Sequence, residues 1–268
     1  MIVPERPNLS PISFPEIDWQ RPWLAPVAEL GTTLVHSVDW ISQANVFAHD
    51  RKLINLHGYP IVFTPQAQLP HDLNYEAHIA STAQVPTRDN LHDFFNALVW
   101  LHFPKIKRTL NALHAAAFAA GEIMSVRGRQ RDAATLFDEN SVLFVCSEPA
   151  WIDALRRHEW KTVLMQNEAE FFSKAAVISF GHALLEKLVH PYKAITAHAW
   201  VVSVDASWFD QTPMQRLNDI DQTVAAMIAQ GFSSGDFCHL PVLGVPGWWP
   251  DQDRAFYEDA SVFRPKRA

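Results

Sequence analysis

Cysteine is nearly missing from this sequence: Cys146 and Cys238 are the only two in 268 residues. That excludes a disulfide framework and a zinc knuckle, and it makes a reducing compartment the simpler reading. Basic charge is short as well. Twenty-two Lys and Arg stand against 29 Asp and Glu, a formal net charge of -7. A general nucleic-acid binder needs a basic field, so none is expected, although a local basic patch is compatible with the total. No uninterrupted apolar stretch approaches the roughly 18 residues of a membrane helix, so no membrane span is expected. The opening "MIVPERPNLSPISFPEIDW" has no basic segment followed by an apolar run, so it does not read as a secretory signal. A cytoplasmic location is the expectation.

Local catalytic signatures are missing too. Thirteen histidines are present, yet no two lie closer than seven residues. The HxH, HxxxH and HExxH spacings are therefore absent, and a divalent metal would have to be held by distant segments. No metal ligand is assigned. No GxSxG occurs, and Cys238–His239 has no supporting pattern around it.

What is present is a globular composition: 48% apolar, 19% charged, with ten Trp and seventeen Phe for a bulky core. Proline clusters at the two ends. Residues 1–22 read as an extended arm, and 23–268 as a single α+β domain with a Pro/Trp-rich tail. Short helices are expected near 23–30 and 39–53, and a short strand within "HGYPIVFTP", 57–65. The segment "DNLHDFFNALVWLHF" reads as a helix capped by Asp89 or Asn90, and Pro104 stops it. "PKIKRTLNALHAAAFAAG" reads as the next helix, giving an αα-hairpin. Between Arg127 and Cys146 the reading is loop, strand, turn, strand, a β-hairpin of 133–138 and 141–146 turned at Asp138, Glu139 and Asn140. A helix through about Trp160 follows. "AAVISFGHALLEKLVHP" reads as strand, Gly181, helix, and "AITAHAWVVSV" as a strand. "TPMQ" is a capping box opening a helix that runs to Gly231. The tail "HLPVLGVPGWWPDQD" carries too many prolines for regular structure.

Three constellations carry possible chemistry. The first is the start of the helix at Leu91. It is apolar almost all round, so it is built to be buried, yet it opens with Asp89, Asn90, His92, Asp93 and Asn96. Buried polar groups are either paired or functional. One reading is capping plus hydrogen bonds that dock the preceding loop. The other is a cleft floor with His92 as acid or base, joined by Asp93, Asn96 and His182. The second constellation is "RGRQRD". On an extended segment Arg129 and Arg131 share a side, joined by Arg127, and arginine forks suit carboxylate or phosphate. Asp132 is a candidate ligand or histidine partner. The alternative is a solvated loop paired within the protein. The third is "SFGHALLEK", a strand, a glycine and a helix start at His182.

Four blocks, "VPTRDNLHDFFNALVWLHFPKIKRTLN", "RGRQRDAATLFDEN", "FGHALLEKL" and "LPVLGVPGWWP", resemble a bacterial domain-of-unknown-function family, number three-zero-two-five, from about Tyr75 to Phe263. The resemblance implies a cytoplasmic proteobacterial protein and carries no activity. Its polar positions fall in the same blocks: Asn90, His92, Asp93, Asn96, Arg129, Asp132, Asp138, Glu139 and His182. The pattern it resembles usually has Gly where this chain has Ser141, after the expected turn at Asp138 and Glu139.

Three functions follow as expectations. One is a hydrolytic or phosphoryl-handling enzyme for a small anionic substrate, with His92, Asp93 and His182 catalytic and Asn90, Asn96, Arg127, Arg129 and Asp132 binding. Another is a non-enzymatic anion- or protein-binding module, with Trp248–Trp249 as an apolar contact. In the last, the polar blocks only hold the fold.

Overall fold

The computed structural model describes residue 14, residues 17–119 and residues 125–266, with the side chains of 119 and 125–127 outside that description. The chain is α+β. Helices α1 (Ala28–Val35) and α2 (Trp40–Asp50) lead to strand β1 (Val62–Pro65). Helix α3 (Tyr75–Thr82) and strand β2 (Gln84–Thr87) follow, then α4 (Leu91–His102), α5 (Pro104–Ala119) and α6 (Ser125–Asn140). Strand β3 (Ser141–Cys146), helices α7 (Pro149–Arg156), α8 (Trp160–Leu164) and α9 (Glu168–Lys174), and strand β4 (Ala175–Ser179) come next. The chain ends with α10 (His182–Lys187), β5 (Thr196–Ser203), α11 (Pro213–Ala229), β6 (Cys238–Pro241) and α12 (Arg254–Glu258). Among the described residues no helix is long and apolar enough to cross a membrane.

Two sheets form. β1 and β2 pair in parallel, and the larger sheet runs β4-β3-β5-β6. Strand β3 is parallel to β5 and antiparallel to β4. All six of its residues are buried, so both faces of the sheet centre are covered. The αα-hairpin is present as expected. Asn90 caps α4 by accepting from the Asp93 amide, and Pro104 begins α5 directly after Phe103. The Thr212 capping box also forms, and α11 runs from Pro213 to Ala229.

The hairpin expected over 133–146 does not form. Its first arm is the last half of α6, and only 141–146 is a strand. Ala133, Ala134 and Phe137 are buried while Arg129, Arg131 and Asp132 are exposed, a helical rather than a twofold period. Three Arg, two Ala, one Gln and one Leu, all good helix formers, lie in the segment, and a single Gly128 does not break it. Asp138, Glu139 and Asn140 end that helix instead of turning a hairpin. The C-terminal tail is also more regular than its prolines suggest, because β6 pairs with β5 through Leu240 and His239. Trp248 is 4% exposed and packs on Trp23, so the expected Trp248–Trp249 contact surface is largely core. The arm expected over 1–22 lies partly outside the described residues. Within them, Phe14 packs on Trp40 and Phe94, and Trp19 on Phe94 and Phe95.

Helix α5 begins beside α11, and its first free amides need acceptors. Asp221 supplies them, accepting from Lys105 N at 3.1 Å and Ile106 N at 2.9 Å. Burial nevertheless pushes its carboxyl up from 3.8 to about 6. The folded chain thus holds this proton more tightly than the unfolded chain, so this group's contribution to stability falls as pH rises through that interval. Asp221→Ala should lower stability by about 1–2 kcal/mol, the worth of a helix cap. Asp221→Asn keeps one acceptor and should remove that pH dependence. Denaturant melts across the interval check both, and an unchanged profile in Asp221→Asn contradicts the assignment.

Candidate functional site

Three helices each contribute a polar stripe at helical spacing, and the stripes meet. On α4 it is Asp93, Asn96 and Trp100; on α5, Lys107, Asn111 and His114; on α6, Arg131, Thr135 and Asp138. Together with Tyr75 of α3 and His182 of α10, most of these side chains line one cleft of about 530 Å³.

The cleft rests on a buried ion pair. Lys107 Nζ lies 2.7 Å from both oxygens of Asp138 and donates at 2.9 Å to Asn96 Oδ1. The ammonium also sits 5.4 Å from the centre of the Trp100 ring. Burial acts to raise the Asp138 carboxyl, but Lys107 and His182 outweigh it and hold the group below its ordinary value. Asn96 then donates to Tyr75 Oη at 3.2 Å. Burial, with Glu76, Asp93 and Asp138 nearby, holds the Tyr75 phenol well above its ordinary value, so it keeps its proton at neutral pH.

Above this pair stand two histidines. His182 Nε2 and His92 Nε2 are 3.1 Å apart, and the rings meet edge to face. His92 Nδ1 lies 3.1 Å from Glu186 Oε2, and His182 Nδ1 lies 3.8 Å from Asp138 Oδ2. Burial is the main reason that His182 falls to about 4, so it is neutral at neutral pH. A carboxylate only accepts, so the Glu186 contact puts a proton on His92 Nδ1. The 3.1 Å contact between the two Nε2 atoms then needs one proton held between the rings.

Local backbone chemistry places His182. Gly181 precedes it, and a Cβ there would fall 2.5 Å from Glu139 O and Ser141 N. Only glycine lets the β4–α10 turn close on the α6–β3 junction, where Gly181 N donates to Ser141 O. That close approach sets His182 beside Asp138. His182 and Glu186 are four apart on α10, so both face α4.

The structure brings His92, Asp93, Asn96 and His182 to this cleft. Asp93 is engaged there by Arg88, which approaches from its backbone N at 2.6 Å and from Nε and Nη2 at 3.0 Å each. That carboxylate closes the turn into α4. Asn90 is the cap of α4 and does not line the cleft. Arg129 and Asp132 are exposed and do not line it either. On a helix Arg129 and Arg131 diverge, whereas an extended chain would align them. Asp132 lies 3.6 Å from Arg131. The side chain of Arg127 lies outside the described residues. Among those residues no cluster of three or more His, Cys, Asp or Glu is arranged to hold a metal.

Sequence reasoning passed over Lys107, Tyr75 and Glu186, and gave Asp138 to a turn. No local signal set Lys107 apart, because the same helix also carries Lys105, Arg108 and Thr109.

The family profile described as "Protein of unknown function (DUF3025)" matches residues 61–267. The chain belongs to that family. The matched span of DUF3025 contains every residue of the cleft named above. No match was found among curated proteins or among solved structures.

Removing one partner of a buried ion pair strands the other. Lys107→Met should destabilise the protein by about 3–5 kcal/mol. Adding Asp138→Asn removes the stranded charge and should recover part of that loss. Urea melts of the two variants check this, and an equal loss in both contradicts a buried charge pair.

Proposed function

We propose that this DUF3025 protein is a proton-transfer enzyme, most simply a hydrolase of a small polar substrate, working in the cleft of α3, α4, α5, α6 and α10. The observation that carries the reading is the His92–His182 contact. Two imidazole nitrogens 3.1 Å apart line the cleft, and a carboxylate stands beyond each ring. A substrate O–H or N–H that takes the place of His182 at His92 Nε2 gives up its proton there, and the resulting imidazolium on His92 is balanced by Glu186. Run in reverse, the pair returns the proton to a leaving group. His92, with its side chain 35% exposed, is the member that solvent and substrate reach; His182 is sealed beneath it at 8%. The protonated Tyr75 hydroxyl is a further donor at the wall.

Charge in the lining shapes the substrate. Arg88 and Arg131 line the cleft with Glu76, Asp93, Asp138 and Glu139. With Lys107 on Asp138, four carboxylates meet three cations, and this nearly balanced lining suits a hydroxyl-rich or neutral polar substrate better than a strongly anionic one. A reducing cytoplasmic setting agrees with two buried free cysteines.

A panel of chromogenic esters, amides, glycosides and phosphoesters tests the reading. Activity on at least one class is expected to fall by 10²–10⁴-fold in His92→Ala, the usual contribution of a general acid–base. The thermal melt should stay close to wild type, since His92 is partly exposed. No activity on any class, or activity that survives His92→Ala, overturns it.

A further inference from the structure

A second and larger cleft, of about 1090 Å³, shares no lining residue with the first. It is formed by the end of α7, the turn into α8, the edge strand β6 and the C-terminal segment. Its charge is one-sided. Arg156, Arg264 and Lys266 line it against a single acid, Asp236. That acid is already engaged, accepting from Ser233 N at 2.7 Å and Ser233 Oγ at 3.1 Å. Among the described residues Arg156 has one acidic partner, Asp153, at 3.7 Å with both side chains more than half exposed, and it also meets the Cys238 thiol. Such an ion pair is worth little. Arg264 Nε donates to the Ser261 carbonyl. Among the described residues neither Arg264 nor Lys266 has an acidic partner. In a chain of formal net charge -7, three weakly compensated cations around one cavity are an uneven distribution.

Histidine adds a second, separate observation. His158 lines the same cleft and stacks on Trp160, ring centres 4.7 Å apart. Its ring is turned toward the backbone of Arg264 and Pro265. Its backbone sits at φ 59°, just past the end of α7, where a left-handed residue is usually glycine. The ring thus ties the end of α7 to the C-terminal segment that carries Arg264 and Lys266. His239 of β6 lies 6.0 Å from it, ring centre to ring centre.

We propose that this cleft binds a phosphorylated small molecule, with Arg156, Arg264 and Lys266 around the phosphate and His158 holding in place the segment that carries two of them. Phosphate is favoured over a monocarboxylate by charge. Three cations need two or more negative charges in a compact group, and one carboxylate supplies one. The volume exceeds what a bare ion fills, and Trp160 and Phe237 offer flat apolar walls to the rest of the ligand. This site stands independently of the histidine pair in the first cleft.

Isothermal titration calorimetry with inorganic pyrophosphate tests it, with acetate at matched ionic strength as the control. Wild type should bind pyrophosphate one to one and show no heat with acetate. Arg156→Ala should weaken binding at least tenfold, and Arg156→Ala with Arg264→Ala should abolish it. Arg129→Ala, an exposed arginine on α6, should bind like wild type. Arg156 is itself solvent-exposed, so the single variant reads out even where the double variant melts early. No binding of pyrophosphate, equal binding of acetate, retention in Arg156→Ala, or equal weakening in Arg129→Ala each overturns the proposal.

Discussion

The Lys107–Asp138 pair sits where α4, α5, α6 and α10 converge, and the cleft above it takes its shape from that one contact. A buried ammonium and a buried carboxylate are each expensive alone, so each requires the other at hydrogen-bond distance. The pair is satisfied at 2.7 Å, and Asn96 takes a further ammonium proton. The consequence is geometric. Lys107 fixes α5 against α6, Asn96 fixes α4, and Asp138 presents an oxygen to His182 on α10. Replacing this pair by packed apolar residues would be a simpler way to fill a core. The proposed proton transfer would use the pair as it stands, with a histidine held over it.

Much of this was legible in the sequence wherever a local rule decided the outcome. Pro104, the Thr212 capping box and the Asn90 cap each act within a few residues, and each element starts where its residues say. The polar opening of α4 likewise pointed to a cleft with His182, and those groups do meet. The segment after Arg127 was misread because its β-rich end, Val142 to Cys146, coloured the reading of what precedes it. Ala133, Ala134 and Phe137 carry the helical period, and their burial settles the matter. An extended chain and a helix put different residues on one side, so the helix leaves Arg129 and Asp132 out of the cleft.

Lys107 and Glu186 were out of reach for another reason. Their partners lie 31 and 94 residues away, and no spacing rule connects them. A lysine in an amphipathic helix reads as solvated until the facing helix supplies a carboxylate. The same holds for the second cleft, whose cations come from α7 and the C-terminal segment, more than a hundred residues apart in sequence.

The two clefts divide the chemistry. The first has proton-handling groups and a mixed, slightly acidic lining; the second has weakly compensated cations and few acids. The account depends most on His182 being sealed against Asp138 as a neutral ring. An NMR titration of the histidine ring resonances in the intact protein tests that directly. His182 should stay neutral through the slightly acid range and take its proton only near pH 4. Titration near 6.5, the value of an open imidazole, would mean that the ring is not held on the buried pair, and the account of the cleft would fail.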